Sequence, residues 1–409
     1  MEEINVLVWF RCKNVASFKN DTVLDMRAVK SYKEHPYNLI KQENKDNLLK
    51  VVSIYGANAS GKTNFIEAFG HFREIILHSF KQKNKTEEQR SVLEENYFPF
   101  YLSKDYNDNN SEYEIITRDK TDEYQYGFVF NGTQIEEEWL YKRSLTSSRT
   151  TTILQRIKQK IELGASVKKT FEKYKFAIDK DVLALSFYSS LSVRNNAFTR
   201  TLSGITDTFT ISSSERREKS LLDSYFRYVY SESEKKNLLG FLNAIDVGIS
   251  DVYVDTNSQN NKYDVYFLHV DDKGTLTPFH INIESAGTIK AIALYSVMRL
   301  AAQWNKPILI DEFNSKLHPL LQKYLIDMFY EGTESGQLIY TTHDTTLLDK
   351  KYMRRDQVWF VEKNKNGESS MFSLADFKAR NDSSFGKDYL AGVYGGIPIL
   401  KDIPLAEDR

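Results

Sequence analysis

Residues 56–63, with the sequence GANASGKT, constrain the fold of this chain more than any other segment, because they match the phosphate-binding loop G-x-x-x-x-G-K-[ST] at every fixed position. A β-branched run at 51–55 precedes this P-loop, and apolar residues recur after it at helical spacing. A strand, a glycine-rich loop and a helix, in that order, turn backbone N–H groups and a helix N-terminus towards a polyphosphate. The segment therefore predicts a nucleoside triphosphate site, in which Lys62 reaches the β- and γ-phosphates and the Thr63 hydroxyl holds Mg²⁺. The residues predicted to contact the nucleotide here are Gly56, Asn58, Ala59, Ser60, Gly61, Lys62, Thr63 and Asn64.

The composition excludes few classes of function. Lys plus Arg (55) almost cancels Asp plus Glu (56), so overall charge favours no particular partner, and any nucleic-acid surface must be local. The one cysteine, Cys12, excludes an internal disulfide and fits a reducing cytosol. No apolar run reaches the roughly 18 residues of a membrane-spanning helix, and the N-terminus lacks the basic start of a signal peptide. For 409 residues we predict two or three domains, a cytoplasmic location and no membrane segment.

Two carboxylates at the end of a second apolar strand predict the other half of the site. Asp311 and Glu312 follow the run at 307–310, and side chains that alternate along a strand can divide two roles. Asp311 would orient Mg²⁺ through its water shell, and Glu312 would polarise the attacking water. The next strand ends at His343, on the edge where open α/β sheets bind ligands, so this side chain can sense the γ-phosphate. The alternative for His343 is a surface histidine in a turn.

A further helix start has the features of an anion site. Ser285 precedes a predicted helix over 287–304 and has the character of an N-cap. With Gly287, it also offers a hydroxyl, a bare backbone and a helix dipole to an anion. Because the P-loop already provides a site for one nucleotide, this second anion site would most simply bind the nucleotide of another subunit. The alternative is that Ser285 does no more than cap the helix.

The pattern of apolar residues predicts an α/β fold. Helices and strands alternate from 287 to 362, which indicates a mostly parallel sheet. Strand patterns from 111 to 145, with a hairpin signal at Asn131–Gly132, predict an antiparallel β lobe. The predicted parts are 1–80, the P-loop half of the head; 81–148, a β-rich lobe; 149–250, a helical and partly basic insert; and 251–409, the second half of the head.

The basic stretch within 149–180 leaves two interpretations open. It can meet nucleic acid or an acidic partner, or it can be a solvated face of a helix, which is the more common role of such a run. The basic residues concerned are Arg149, Arg156, Lys158, Lys160, Lys168, Lys169, Lys173 and Lys175.

The order of the motifs resembles that of the ATP-binding-cassette class, in its SMC- and RecF-like branch. The motifs are the P-loop, the Ser285-Ala286-Gly287 helix start, Asp311-Glu312 and the segment TTHD at 341–344. Three segments are similar to the corresponding sequences of AAA-type, ABC-like ATPases of bacterial abortive-infection and antiphage loci. They are GANASGKTN, DEF with LHP, and YLAGVYGGIP. These are related to the ATPase part of OLD-family (overcoming lysogenization defect) nucleases. The resemblance covers roughly residues 1–80 and 280–400.

This resemblance implies an ABC-ATPase-like head that dimerises head-to-head around two ATP molecules and hydrolyses them with Mg²⁺. Glu312 would be the catalytic base and His343 the switch histidine, with Asp311 assisting the metal. Ser285 and Gly287 would act in trans on the partner's ATP. The motifs do not identify the residues that contact the base of the nucleotide.

The resemblance also implies a role as a sensor or switch in antiphage defence. OLD-type proteins carry a nuclease domain after the ATPase, whereas this chain continues only to Arg409 after His343. We therefore expect a homodimer or larger assembly that controls a separately encoded effector, a nuclease or a toxin. The alternative is a RecF- or SMC-like repair clamp that binds DNA when it binds ATP. A scaffold that binds ATP without turnover is disfavoured by the Asp311–Glu312 pair.

Overall fold

The structure is a computed structural model that describes residues 5–42, 45–80, 91–103, 110–147, 149–193, 196–211, 222, 226, 232–255, 264–377 and 384–398. The strands of the first half of the chain are β1 Val6–Lys13, β2 Thr22–Asp25, β3 Leu39–Ile40, β4 Leu48–Leu49, β5 Val51–Tyr55, β6 Ser111–Arg118, β7 Asp122–Phe130, β8 Ile135–Ser144, β9 Thr150–Ile157 and β10 Lys160–Leu163. Those of the second half are β11 Phe209–Ile211, β12 Ile249–Asp255, β13 Asp264–Val270, β14 Leu276–His280, β15 Pro307–Ile310, β16 Gln337–Thr341, β17 Val358–Lys363 and β18 Ser369–Ser373. The α-helices are α1 Lys62–His78, α2 Val92–Glu95, α3 Ala165–Phe171, α4 Ala184–Ser190, α5 Ala197–Thr206, α6 Glu232–Ala244, α7 Ala286–Gln303, α8 Pro319–Gly332 and α9 Phe385–Leu390.

The P-loop follows a central strand of a six-stranded sheet with the order β11-β15-β16-β5-β17-β18. Strands β11, β15, β16, β5 and β17 run parallel, and β18 pairs antiparallel with β17 at one edge. Because β16 lies between β15 and β5, the loops that follow these three strands meet at one edge of the sheet. The predicted α/β fold with a mostly parallel P-loop sheet is confirmed.

The parallel sheet is buried on both faces, which explains why its strands are nearly all apolar. Val52 and Ile54 of β5 face a core that includes helix α1 and the antiparallel sheet, whereas Val51 and Tyr55 face the core formed with α7 and α8. The apolar stripe predicted after the P-loop is buried in the first of these cores. Burial of each large side chain contributes about 1.5–3 kcal/mol, so helix α1 is held firmly behind the P-loop.

The second large sheet is antiparallel, with the order β10-β9-β8-β7-β6-β1-β2. The hairpin predicted at Asn131–Gly132 joins β7 to β8, where Phe130 pairs with Ile135 and Gly132 has a φ of 82°. The predicted antiparallel lobe is therefore confirmed. It also includes β1, which pairs with β6, so the N-terminal strands belong to this sheet rather than to the P-loop sheet.

The prediction of a helical insert that begins at 149 is wrong at its start, where the structure has strands β9 and β10. Five of the eight residues of β9, TTTILQRI, are β-branched, and such residues favour strands. The basic side chain of Arg156 points inward, is 0% exposed and donates to the Val182 carbonyl at 2.6 Å. Helix begins only at Ala165. The first part of the basic stretch therefore extends the antiparallel lobe.

The segments between the two halves of the head are described in part. Helix α6 lies within the helical insert predicted at 149–250, of which residues 212–231, apart from 222 and 226, lie outside the described residues. Strands β12, β13 and β14 form a three-stranded antiparallel sheet. The four-part division of the chain stays a prediction. None of the described helices is long and apolar enough to cross a membrane.

Candidate functional site

The two fixed glycines of the P-loop are required by close packing. A Cβ at Gly56 would lie 2.3 Å from the Val361 carbonyl oxygen. Gly61 has a φ of 117°, and a Cβ there would lie 2.5 Å from Ser369 Oγ. Any side chain at either position would therefore push the loop away from the strands behind it. The turn lets helix α1 begin at Lys62 with its N-terminus at the mouth of the loop.

Lys62 is buried at this mouth, with 6% of its surface exposed. Its Nζ donates to the carbonyl oxygens of Gly56 at 2.8 Å and Ala57 at 2.9 Å. Burial lowers the pKa of Lys62 to about 8. A partly desolvated ammonium group of this kind is stabilised by an anion, so its position favours a phosphate ligand.

Asp311, only 1% exposed, joins the P-loop to the second half of the site. Thr63 Oγ1 donates to Asp311 Oδ2 at 2.9 Å, and Thr341 Oγ1 donates to Asp311 Oδ1 at 2.6 Å. A hydroxyl and a carboxylate that already lie together are the hard oxygen donors that Mg²⁺ prefers. Thr63 and Asp311 therefore fit the metal role predicted for them, in which Mg²⁺ would neutralise charge on the phosphates.

Glu312 has a strained backbone. Its φ is 48°, in the left-handed region that costs a non-glycine residue roughly 1–2 kcal/mol. The Glu312 N–H donates to Thr341 Oγ1 at 2.7 Å, which helps to hold this conformation. Such outliers persist where the surroundings enforce them, often at functional sites. The strain is therefore consistent with Glu312 being held in place for a chemical role.

His343 lies at the same mouth as Glu312, at the end of β16. Its backbone N–H donates to Asn314 Oδ1 at 3.3 Å, which ties the loop after β16 to the loop after β15. Partial burial, and then the nearby Lys62, lower the pKa of His343 below its usual value. The imidazole is therefore mainly neutral at pH 7, when it can donate and accept hydrogen bonds.

Most of the predicted residues of the two halves line one open cavity of about 440 Å³, although Gly56 and Asp311 are not part of its lining. The buried hydroxyl of Ser60 faces no hydrogen-bond partner in the part of the chain that the structure describes. This hydroxyl and the ammonium group of Lys62 together fit a phosphate chain. The residues that line the cavity are Asn58, Ala59, Ser60, Gly61, Lys62, Thr63, Asn64, Glu312, His343 and Lys363.

The sequence motifs missed Lys363 and a group of polar residues that brace the P-loop. Ser369 Oγ lies 2.6 Å from the Ser60 carbonyl oxygen and 2.8 Å from Ser17 Oγ. Asn64 Nδ2 donates to Ser17 Oγ at 2.7 Å. These contacts join the turn after β1, the P-loop and β18. No local pattern marks Ser17 or Ser369, because each is brought to the loop by strand pairing between distant segments.

Ser285 and Gly287 lie outside the cavity of their own chain. Ser285 caps helix α7, and its Oγ accepts from the Thr288 N–H at 3.1 Å, so the N-cap interpretation is confirmed. Ser285 and Ala286 are exposed, and a Cβ at Gly287 would lie 3.1 Å from the Lys316 carbonyl oxygen. The helix start is thus open to an approaching molecule, and its action in trans stays a prediction.

Thr341 is a positioning residue for both carboxylates, and its replacement tests this geometry. We expect Thr341→Val to lower turnover about 10- to 100-fold, because each buried polar group left unpaired costs about 1–3 kcal/mol. Thr341→Ser keeps the hydroxyl and should retain most activity. The measurement is kcat for the expected hydrolysis of ATP, together with the Mg²⁺ concentration that gives the half-maximal rate. A valine variant with unchanged kcat and Mg²⁺ requirement would contradict the role.

Comparison with known proteins yields one family. The family model described as "AAA domain, putative AbiEii toxin, Type IV TA system" matches residues 51–349. No curated protein matches the sequence.

Three solved structures to which the chain is similar contain SMC heads. One is the Smc head bound to the C-winged helix domain of ScpA, at 13% identity over 90% of this chain and 98% of that chain, with a TM-score of 0.40. The SMC head domain from Thermotoga maritima is 13% identical over the same shares, with a TM-score of 0.37. The Smc head domain with an extended coiled coil, bound to the C-terminal domain of ScpA derived from Pyrococcus furiosus, is 12% identical over 95% of this chain and 98% of that chain, with a TM-score of 0.40. Likenesses this low add nothing to what the geometry of the site shows.

Proposed function

Because the chain belongs to the AAA domain family described as a putative AbiEii toxin of a type IV TA system, we propose that it is a cytoplasmic ATPase that works as a switch. The observation that carries this proposal is the single cavity in which the P-loop, the Thr63–Asp311 pair, Glu312 and His343 meet. These are the groups that phosphoanhydride hydrolysis needs: an anion cradle, a place for Mg²⁺ and a carboxylate beside the transferred phosphoryl group.

Each residue has a role in this proposal. Lys62 and the backbone of the P-loop hold the phosphate chain, and Thr63 with Asp311 would hold Mg²⁺, which supplies neutralising charge. Glu312 orients a water molecule and accepts its proton as the water attacks. The neutral His343 donates a hydrogen bond towards the terminal phosphate and thereby senses its presence.

We extend the proposal to a head-to-head homodimer. Ser285 and Gly287 begin helix α7 at an exposed surface and do not line the cavity of their own chain. An exposed helix N-terminus favours an anion, and the nucleotide of a partner subunit is the anion that a two-fold dimer would bring there. The terminal phosphate would then hold the dimer closed, and hydrolysis would release it.

We further propose that the switch acts on an effector. The family description names a putative toxin of a type IV TA system. Together with the resemblance of the sequence motifs to ATPases of antiphage loci, it favours a role in antiphage defence in which the ATPase controls a separately encoded nuclease or toxin. The DNA-clamp alternative has less support, because the basic stretch is not one continuous surface. Arg156 is buried, and Lys160 and Lys175 pair with Glu162 and Glu172.

Proton uptake tests whether nucleotide phosphates lie at Lys62. The pKa of Lys62 is about 8 in the free protein, and an adjacent phosphate chain would raise it. Since the bound pKa is the higher one, binding is strongest below pH 8, takes up a proton just above it, and weakens as pH rises further. We expect this uptake in calorimetric titrations with Mg·ATP in buffers of different ionisation enthalpy. Lys62→Arg, which stays charged, should show none. A wild-type protein that binds Mg·ATP without uptake near pH 8.5, or that releases no phosphate from it, would contradict the proposal.

A further inference from the structure

A second cavity opens directly beside the phosphate cavity. It has a volume of about 640 Å³ and shares Asn64 and Lys363 with the first. One wall is the surface of helix α1 from Asn64 to Glu74, and the other is the segment 96–102. We call this cavity the α1 trough. A molecule whose phosphates lie on the P-loop would reach the trough past the side chains of Asn64 and Lys363.

The wall at 96–102 carries exposed aromatic rings in a fixed position. Phe98 is 39% exposed and Tyr101 is 55% exposed. The Phe98 carbonyl accepts from the Ala16 N–H at 2.6 Å, and the Phe100 N–H donates to Asn14 Oδ1 at 3.0 Å. These bonds anchor the segment to the turn after β1. The aromatic surface is therefore preorganised, which lowers the entropic cost of placing a flat ligand against it.

The floor of the trough is bare at Gly70, in the interior of helix α1. A glycine there costs about 1 kcal/mol of helix stability relative to alanine. Unlike Gly56 and Gly61, it is not required by packing, because no atom of the described chain lies within 4 Å of an added Cβ. The missing side chain leaves room for something that is not part of the chain itself.

We propose that the α1 trough holds the base and ribose of a purine nucleoside triphosphate, with the base stacked on Phe98 above the bare backbone at Gly70. The inference rests on the proposed binding of a triphosphate at the P-loop, because the two cavities are neighbours and both are lined by Asn64 and Lys363. Three independent features favour it: the adjacency of the two cavities, an exposed ring on an anchored segment, and a helical glycine that no neighbour requires. A planar aromatic base is the ligand that these features suit.

The test measures separately how the base and how the phosphates contribute to binding. Binding of the slowly hydrolysed ATP analogue adenylyl imidodiphosphate and of tripolyphosphate, each with Mg²⁺, is measured by calorimetry in the wild type, Phe98→Ala and Gly70→Leu. We expect both variants to bind the analogue about 5- to 100-fold more weakly, the range for loss of one base–aromatic stack. Both should bind tripolyphosphate like the wild type.

Gly240→Leu is the matched control, because Gly240 also lies within a helix, α6, and has no atom of the described chain within 4 Å of an added Cβ. Both leucine variants should raise Tm, but only Gly70→Leu should lose affinity for the analogue. Unchanged affinity for the analogue in Phe98→Ala or in Gly70→Leu overturns the proposal, as does an equal loss of tripolyphosphate binding. A wild-type protein that binds neither probe refutes the triphosphate site itself, and this inference with it.

Discussion

Glu312→Gln is expected to lower the rate of ATP hydrolysis on the order of 10²–10⁴-fold, the range for removal of a positioned general base. Glutamine has the same shape as glutamate but cannot accept the proton of the attacking water. The Thr341 hydroxyl that holds the Glu312 N–H is unaffected by the change. The measurement is steady-state phosphate release under saturating Mg·ATP.

The same variant separates binding from chemistry. Because the P-loop, Thr63 and Asp311 are intact, nucleotide affinity should change little, and Mg·ATP should convert the variant into a long-lived dimer seen by sedimentation. Glu331→Gln, an exposed carboxylate in helix α8 that does not line the cavity, is the control and should behave as wild type. Hydrolysis at the wild-type rate in Glu312→Gln would remove this residue from the mechanism.

The chemistry of the site could be predicted because each motif lies at the C-terminal end of a parallel strand. Strands β5, β15 and β16 are buried throughout, so they read as short apolar runs, and the polar residues that end them are conspicuous. Ligand sites in such sheets lie at that edge. The sequence could not show that Thr341 joins Asp311 to Glu312, because this depends on the register between β15 and β16.

Other parts of the site depend on long-range pairing and could not be predicted. The Ser369 N–H donates to the Ser17 carbonyl at 2.7 Å, a contact between residues at opposite ends of the chain. It places both serines behind the P-loop, although neither belongs to a motif. The wrong helix at 150–163 has a related cause. An inward arginine such as Arg156 is tolerated in a strand because the buried Glu138 and several carbonyl groups surround it, and composition alone carries no sign of these partners.

Ser285→Asp is expected to lower turnover on the order of 10²-fold or more if helix α7 grips the phosphate of a partner subunit. Aspartate is as good an N-cap as serine, so the helix should be preserved, but its charge would face the terminal phosphate and like charges brought together cost several kcal/mol. Ser285→Asn, a neutral cap of similar size, is the matched control and should lose far less activity. If Ser285 only caps the helix, the two variants will be equally active.

A mixture of Ser285→Asp with Glu312→Gln then distinguishes action in trans from action in cis. Each variant alone is inactive in the two-fold dimer, since every site lacks one essential group. In a mixed dimer, one site combines the intact Glu312 of one protomer with the intact Ser285 of the other. Random pairing makes half of the dimers mixed, each with one competent site of two, so activity should recover to about a quarter of wild type. A mixture no more active than its components would contradict action in trans and place Ser285 at the nucleotide of its own chain.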